Sequence, residues 1–435
     1  MSEKTFKDVP AGYPFPRLEQ EVLETWRRER IFEKSLEKTR GGPEFVFYEG
    51  PPTANNRPHV GHVLTRVVKD LYPRYRTMRG YHVARKAGWD THGLPVEIEV
   101  EKRLGFSGKQ QIEDYGIARF NEECLASVDT YEREWRKMTE RFGYWTDLDH
   151  AYFTYTNEYV ESVWWALKTL ADKNLLAEGY KIQPYCARCG TTLSSHEVAQ
   201  NYKEADDPSI WVLFPVRPGQ TLTPAGGGSW TTTEGLAIVA WTTTPWTTLA
   251  HVGLAVHPGL TYKVVAHPDP ARAGEQLLIG ENLDKPVPLS AEIDGKRQML
   301  DLREAPALAR FTGEALLGLR YDRPFRVPFD ELQAPAEEGP NDETGFPVVP
   351  GDYVTVSEGT GIVHTAPLFG EDDYKTGRKH GLPLVRSVDS EGKIVDRPGI
   401  EAFAGRWFKE ADPDITRELK ARGLLLYSDR YRHNY

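Results

Sequence analysis

Five residues, Pro58-His59-Val60-Gly61-His62, set two imidazoles within one helical turn of each other. They follow a loop, Gly50 to Pro58, and precede a segment with Val63, Leu64, Val67, Val68 and Leu71 on one helical face, so they fall at a helix N-terminus. A helix start presents unpaired N–H groups and partial positive charge, which favour a polyphosphate. Two imidazoles there can donate hydrogen bonds to phosphate oxygens as charge builds in a transition state. Gly61 removes a side chain where a flat base could approach the backbone. The plainer alternative is a histidine-rich cap or surface turn. Cys186-Ala187-Arg188-Cys189-Gly190 offers two of the four ligands a structural zinc takes. A redox pair is the alternative, but no thioredoxin-like strand precedes it. Cys124, in a helical stretch, reads as a core or half-exposed thiol. Trp241-Thr242-Thr243-Thr244-Pro245-Trp246-Thr247-Thr248 concentrates hydroxyls and indoles, and alone it reads as a threonine-rich strand with an edge proline.

The elements that must position these residues divide by texture. Leu18, Val22, Leu23 and Trp26 recur at helical spacing, so an amphipathic helix opens the chain. Phe45 to Tyr48, between Gly-Gly-Pro and Gly-Pro-Pro, reads as a buried strand, and Tyr81 to Ala87 as a second. Strand, crossover helix, strand is the unit of a parallel sheet, with ligands at the carboxyl ends of its strands. Helical stretches follow over residues 112–142 and 159–176. From about Tyr202 to about Pro383 the chain is rich in Thr, Val, Gly and Pro with short apolar runs, a β-rich pattern; Pro218 to Ser229 and Pro335 to Gly345 read as surface loops. Glu410 to Leu426 returns to a helical pattern. No internal repeat is seen.

With 435 residues, 39% hydrophobic, 27% charged and 11% aromatic, the chain holds enough core material for two or three domains. A net charge of −10 argues against a surface that grips nucleic acid everywhere, though a local basic channel can still bind phosphates. No apolar run reaches membrane-spanning length, and MSEKTFKDVP lacks the character of a signal or transit peptide. Three cysteines make a disulfide framework unfavoured. A cytoplasmic protein without membrane or DNA partners is expected.

Phe47-Tyr48-Glu49-Gly50-Pro51-Pro52-Thr53-Ala54-Asn55, the two histidines, Lys69-Asp70, and Gly88-Trp89-Asp90-Thr91-His92-Gly93-Leu94-Pro95 together resemble the isoleucyl-tRNA synthetase family in order and spacing. The His-x-Gly-His element is the class I signature, and the stretch around Asp90 points to the isoleucine enzyme over its valine and leucine relatives. Gly359-Thr360-Gly361-Ile362-Val363-His364-Thr365-Ala366-Pro367, followed by Gly370-Glu371-Asp372-Asp373, resembles, with the threonine run, the editing domain inserted in these synthetases. The fold so implied is α/β: a Rossmann-like parallel-sheet catalytic half-domain with an inserted β-rich editing domain. Its expected limits are 1–201 for the opening helix, half-domain and Cys-x-x-Cys knuckle, 202–385 for the insert, and 386–435 for a return segment.

By the resemblance, His59 and His62 contact the phosphates of ATP, which enters with Mg2+, while Gly50, Pro51 and Asp90 line the isoleucine pocket. Asp90 would pair the α-amino group, since a buried ammonium needs a charged acceptor. Thr242, Thr243, Thr244, Trp246 and Thr247 would form one wall of a hydrolytic pocket; His364 would limit the side chain that fits, and Asp373 would hold the α-amino group. Asp372 is equal by chemistry, and only the spacing from His364 favours Asp373. The family run after the threonines is Leu-Pro-x-Asn, whereas Thr248-Leu249-Ala250-His251 stands here, which leaves the last turn of the pocket open. No serine or cysteine nucleophile with a histidine base is evident, so a positioned water is expected to attack. Isoleucine and valine differ by one methylene, the standard example of a pair an apolar pocket separates by only about 1–3 kcal/mol, a general value not obtained from this chain. Cys186 and Cys189 would bind Zn2+ with a second pair beyond the insert.

No Lys-Met-Ser-Lys-Ser-like loop occurs, so the expectation is an N-terminal piece of a longer ligase that joins isoleucine to its tRNA, without the anticodon-binding domain. Two alternatives stand beside it: a stand-alone tRNA deacylase, and a synthetase-like tRNA-binding module without catalysis.

Overall fold

The computed structural model describes Gly12 and residues 14–199, 202–332 and 339–434. The sequence MSEKTFKDVP, the boundary residue 201, part of the expected loop over 335–345 and the final Tyr435 lie outside the described residues. The chain divides into two compact units, Met1–Gly179 and Tyr180–Tyr435. No helix among the described residues is long and apolar enough to cross a membrane.

The first unit is mainly helical. Helix α1 (Phe15–Glu29) starts behind Pro14 and stops where Arg30 takes a left-handed conformation, and α2 (Ile31–Thr39) follows at once. Helix α3 (Val60–Met78) then crosses over to strand β1 (Lys86–Trp89). After α4 (Leu94–Leu104), the expected helix over 112–142 is two helices, α5 (Lys109–Tyr115) and α6 (Ile117–Arg141), which meet at Gly116. Strand β2 (Asp147–Phe153) pairs in parallel with β1, and α7 (Asn157–Asp172) follows.

The expectation of a buried strand at Phe45–Tyr48 needs correction. The chain is bridged in parallel just before the run, Glu44 to His82, and next only beyond it, Thr53 to Asp90, and Val46 and Tyr48 are 66% and 89% exposed. Phe45 and Phe47 turn towards the unit while Val46 and Tyr48 turn away, so the apolar run is extended but one-sided. The second expected strand is likewise displaced, its ladder starting at Lys86.

The second unit is β-rich, as its composition indicates. A small hairpin pairs β3 (Tyr185–Cys186) with β4 (Thr191–Thr192). Its main sheet contains, in chain order, β5 (Glu204–Pro215), β6 (Leu236–Thr242), β7 (Gly253–Val256), β8 (Thr261–Ala266), β9 (Gln276–Gly280), β10 (Ala307–Thr312), β11 (Arg320–Tyr321), β12 (Phe346–Pro350) and β13 (Ile362–Thr365). Helices α8 (Glu371–His380) and α9 (Phe408–Ala421) and strand β14 (Leu425–Asn434) complete the unit. Neighbours run β10-β8-β9-β6-β13-β7-β12-β11, and β5 lies on the other edge of β6 with β14 beyond it.

Two features of this sheet position the site. Strand β13 lies antiparallel to β7 and touches β6 in parallel at Val363 and Trp241, bringing His364 beside the turn that follows Thr242. The segment after residue 385 packs on the same core as the sheet: Ile394, Ile400, Phe403, Ile415 and Leu419 are buried in one cluster with Phe214, Leu249 and Leu254. The helix expected to reach Leu426 stops at Ala421, because Gly423 adopts φ 72°, and the chain continues as β14.

Candidate functional site

The threonine run leaves β6 at Thr242 and turns into a 3-10 helix, Pro245–Ala250, with Pro245 as its first residue. Its hydroxyls bond to one another. Thr242 Oγ1 lies 3.1 Å from Thr244 Oγ1 and accepts the Thr244 N–H, and Thr244 Oγ1 lies 3.0 Å from Thr247 Oγ1. Thr247 Oγ1 donates to the Thr244 carbonyl at 2.7 Å and lies 2.9 Å from His364 Nε2. A cavity of about 330 Å³ opens over this wall, lined by Thr242, Thr243, Thr244 and Thr247, by Tyr353, His364 and Phe369, and by Asp373.

Asp373 is brought in by the start of α8. A Cβ at Gly370 would collide with the Asp373 carboxylate, so the glycine allows that side chain to fold back, where Oδ1 accepts the Ala366 N–H at 2.8 Å. Burial pushes the Asp373 carboxyl up to about 6; the N–H groups of Ala366 and Asp373 oppose the rise, and Asp372 adds to it. Asp372 is exposed and does not line the cavity. Burial pushes the His364 imidazole down to about 4.

Trp246 stands apart from the expectation. Its indole does not line the cavity but packs against Phe369 and Phe408, with centroids 4.8 and 4.5 Å away. The 3-10 turn directs it there, and the backbone N–H of Trp246 donates to Asp412 Oδ1 of α9 at 2.9 Å. Asp412 is buried, which pushes its carboxyl up to about 7.

Three residues of this neighbourhood are absent from the sequence reading: Asp412, Tyr321 and His251 as a partner of His364. His251 is fully buried, with Nδ1 2.6 Å from His364 Nδ1 and Nε2 2.8 Å from the Tyr321 hydroxyl. The signal for it was available. A histidine inside the apolar run Leu249-Ala250-His251-Val252 must be buried, and a buried imidazole needs partners. Tyr321 and Asp412 gave none, because only the tertiary fold brings them near.

In the first unit the sequence-marked residues gather around the start of α3. His59 is its N-cap: His59 Nδ1 accepts the Gly61 N–H at 3.2 Å, and His62 Nδ1 accepts the His59 N–H at 3.1 Å. With each Nδ1 accepting, the neutral rings carry their protons on Nε2, which leaves two N–H donors. The rings stack at 3.8 Å, and burial, His59 and Arg66 lower the His62 pKa. Asp90 directly follows β1 and accepts from Thr53 Oγ1 at 3.0 Å. Half-buried Pro51 precedes that bridge, and the Gly50 carbonyl accepts from Lys69 Nζ, which also pairs with Glu49 at 2.8 Å.

Cys186 and Cys189 share the small hairpin of β3 and β4. Burial and the neighbouring Cys186 raise the Cys189 thiol, while Arg188 opposes the rise. Among the described residues no group of three or more His, Cys, Asp or Glu is placed to hold a metal ion. Two half-buried thiols supply half a tetrahedral zinc set, so the residues present do not by themselves fit a closed structural site.

The chain is thus mixed α/β, with an imidazole pair at a helix start in its first unit and a cavity lined by threonines, His364 and Asp373 in its β-rich second unit. The chain matches the family described as tRNA synthetases class I (I, L, M and V) over residues 21–420, and it belongs to that family. It is 48% identical over 431 residues to an isoleucine–tRNA ligase of Thermus thermophilus, covering 99% of this chain and 37% of that protein. With the isoleucine–tRNA ligase of Dehalococcoides mccartyi strain ATCC BAA-2266 it shares 46% over 439 residues, covering 99% and 41%. The chain thus spans about two fifths of the length of these relatives. Among solved structures, the ternary complex LeuRS-tRNA-LeuAMS of Agrobacterium radiobacter K84 is 15% identical with a TM-score of 0.32, covering 96% of this chain and 48% of that one.

Proposed function

We propose that this chain serves an isoleucine–tRNA ligase and that its second unit hydrolyses mischarged Val-tRNA. The observation that carries the proposal is the cavity in which Thr242, Thr244 and Thr247 of one stretch of chain meet His364 and Asp373 of another, Thr247 and His364 being 117 residues apart. Asp373, ionised above pH about 6, supplies the anion that a substrate ammonium needs. His364 is neutral at pH 7, so it acts by bulk and hydrogen bonding and does not compete for that carboxylate. Identity of 44–48% with isoleucine–tRNA ligases supports the choice of amino acid.

In the first unit the Nε2–H groups of His59 and His62 would donate to the phosphates of ATP with its Mg2+. Asp90, backed by Thr53, would receive the α-amino group of isoleucine beside Gly50 and Pro51. The expected compartment is the cytoplasm, with the tRNA for isoleucine as partner. A zinc ion completed by further ligands would hold the Cys186–Cys189 hairpin rigid; no step of the chemistry passes through it.

The test is deacylation of Val-tRNA and Ile-tRNA for the isoleucine acceptor. The wild-type chain should hydrolyse the first and spare the second. His364→Ala enlarges the cavity and should begin to hydrolyse Ile-tRNA. If the wild type hydrolyses neither, the deacylase reading falls. Should His364→Ala leave the preference intact, His364 is not the residue that excludes isoleucine.

A further inference from the structure

Hydrogen counting along the cavity wall gives a direction that no single contact shows. Thr247 has one hydroxyl hydrogen, and it goes to the Thr244 carbonyl. Towards His364 it must therefore accept, which places a proton on His364 Nε2 and leaves His364 Nδ1 bare. The facing His251 Nδ1 must then be the protonated one, and His251 Nε2 must accept. The other end fits this order: the buried Tyr321 hydroxyl, 2.8 Å from His251 Nε2, then donates to it. The chain of donation runs Tyr321 to His251 to His364 to Thr247 without a gap.

The remaining hydroxyls follow. Thr244 Oγ1 gives its hydrogen to Thr247, and Thr242 Oγ1 gives its own to Thr244 while accepting the Thr244 N–H. Every hydroxyl hydrogen of these three threonines is then bound within the protein. Thr242 and Thr244 each keep one oxygen lone pair, and both residues line the cavity. Thr242 and Thr244 thus present acceptors to the cavity; the hydroxyl of Thr243, which also lines it, stands outside this chain of donation.

We propose that His251 and Tyr321 are positioning residues: they lock His364 as its Nε2–H tautomer, whose donation to Thr247 keeps the Thr247 hydrogen on the Thr244 carbonyl and so fixes the turn on which Thr242 and Thr244 accept from the attacking water. The functional half of this proposal rests on the deacylase reading. A water that donates to Thr242 and Thr244 turns its own lone pair outward, as a nucleophile must. Its oxygen bonds to the ester carbon and the bond from that carbon to the ribose oxygen breaks. One water proton passes to the departing ribose oxygen; the other stays on the new carboxyl and leaves as it ionises. No further reactant is needed. Arg323, bound in bidentate fashion to Asp342 at 2.7 Å, is the fixed cation facing His251, and it opposes a charge on that ring.

Nitrogen-15 NMR of the histidine-labelled chain reads the tautomer directly. The wild type should show His364 protonated on Nε2 and bare on Nδ1. Tyr321→Phe removes one oxygen from a packed ring and should give His364 a mixture of tautomers; His251→Leu should do the same. His251→Asn places an amide N–H where Nδ1–H stood and should restore the single tautomer. Hydrolysis of Val-tRNA should follow the spectra. For Tyr321→Phe and His251→Leu, kcat should fall about tenfold at nearly constant KM, as expected when orientation and not binding is lost, with recovery in His251→Asn. If His251→Leu fails to fold, Tyr321→Phe carries the test. A wild-type His364 protonated on Nδ1 overturns the donation order. Mixed tautomers in Tyr321→Phe with unchanged kcat overturn the role in catalysis. A correct wild-type tautomer without any hydrolysis would sink the deacylase reading, and the bound water with it, while the hydrogen-bond order stands.

Discussion

Asp373 and Asp412 are buried carboxyls of opposite use. Asp373 faces the cavity and would meet a substrate ammonium; losing a charge partner in a partly dry pocket costs about 3–5 kcal/mol. Asp373→Ala should therefore abolish most Val-tRNA hydrolysis while leaving the fold intact, and Asp372→Ala should not. The wild-type kcat/KM should rise with pH through about 6, where Asp373 ionises. The reverse ranking of the two variants would move the ammonium to the exposed neighbour. Asp412 instead holds the Trp246 backbone N–H from behind the wall. Its pKa in the fold is raised to about 7, so its stabilising contribution is present below the unfolded value near 4 and is lost as pH rises through about 7. Asp412→Asn keeps an acceptor oxygen without the charge. It should match the wild type near pH 4 and exceed it above pH 8 by about 2–4 kcal/mol in thermal denaturation. Equal melting profiles at both pH values would refute that account. Of the residues marked from sequence, the four threonines, His364 and Asp373 meet at one cavity because each sits in a run whose composition is unusual by itself. Trp246 was placed on the wrong side of the wall, since composition does not say which way a 3-10 turn aims an indole.

Elements were legible in proportion to their locality. The amphipathic segments gave α1, α3 and α7 to within a few residues, because helix formation depends on spacing inside the segment itself. Strand β14 was missed. Tyr427-Ser428-Asp429-Arg430-Tyr431-Arg432 is largely polar, and it becomes a strand through β5, whose Pro208 faces Arg430 across more than two hundred residues of chain. Phe45–Tyr48 failed in the opposite sense: an apolar run was read as buried, yet the chain's bridges lie just before the run and beyond it. The β3–β4 hairpin belongs at this scale too, because its geometry depends on what the two thiols hold. With two sulfurs and no further ligand beside them among the described residues, the site should bind zinc weakly. Dialysis against a chelator should leave less than one zinc per chain, counted by atomic absorption; full retention would require ligands not identified here.

At the scale of the molecule, the division into two compact units separates the two proposed chemistries. The first unit carries the two imidazole donors proposed for a triphosphate, no Lys-Met-Ser-Lys-Ser-like run occurs in the sequence, and the chain spans about two fifths of its relatives. Isoleucine-dependent ATP–pyrophosphate exchange by this chain should be undetectable even where Val-tRNA hydrolysis is measurable. Robust exchange would mean that one half of the activation site suffices. The pairing of β5 with β14 also bears on how the second unit can be handled as an object. Glu204 and Asn434 are register partners, so the strands that open and close the sheet come together at about the 5 Å spacing of paired strands. A host that tolerates one extra pair of strands at a loop could therefore accept residues 204–434 as a graft, with no need to open a wider gap.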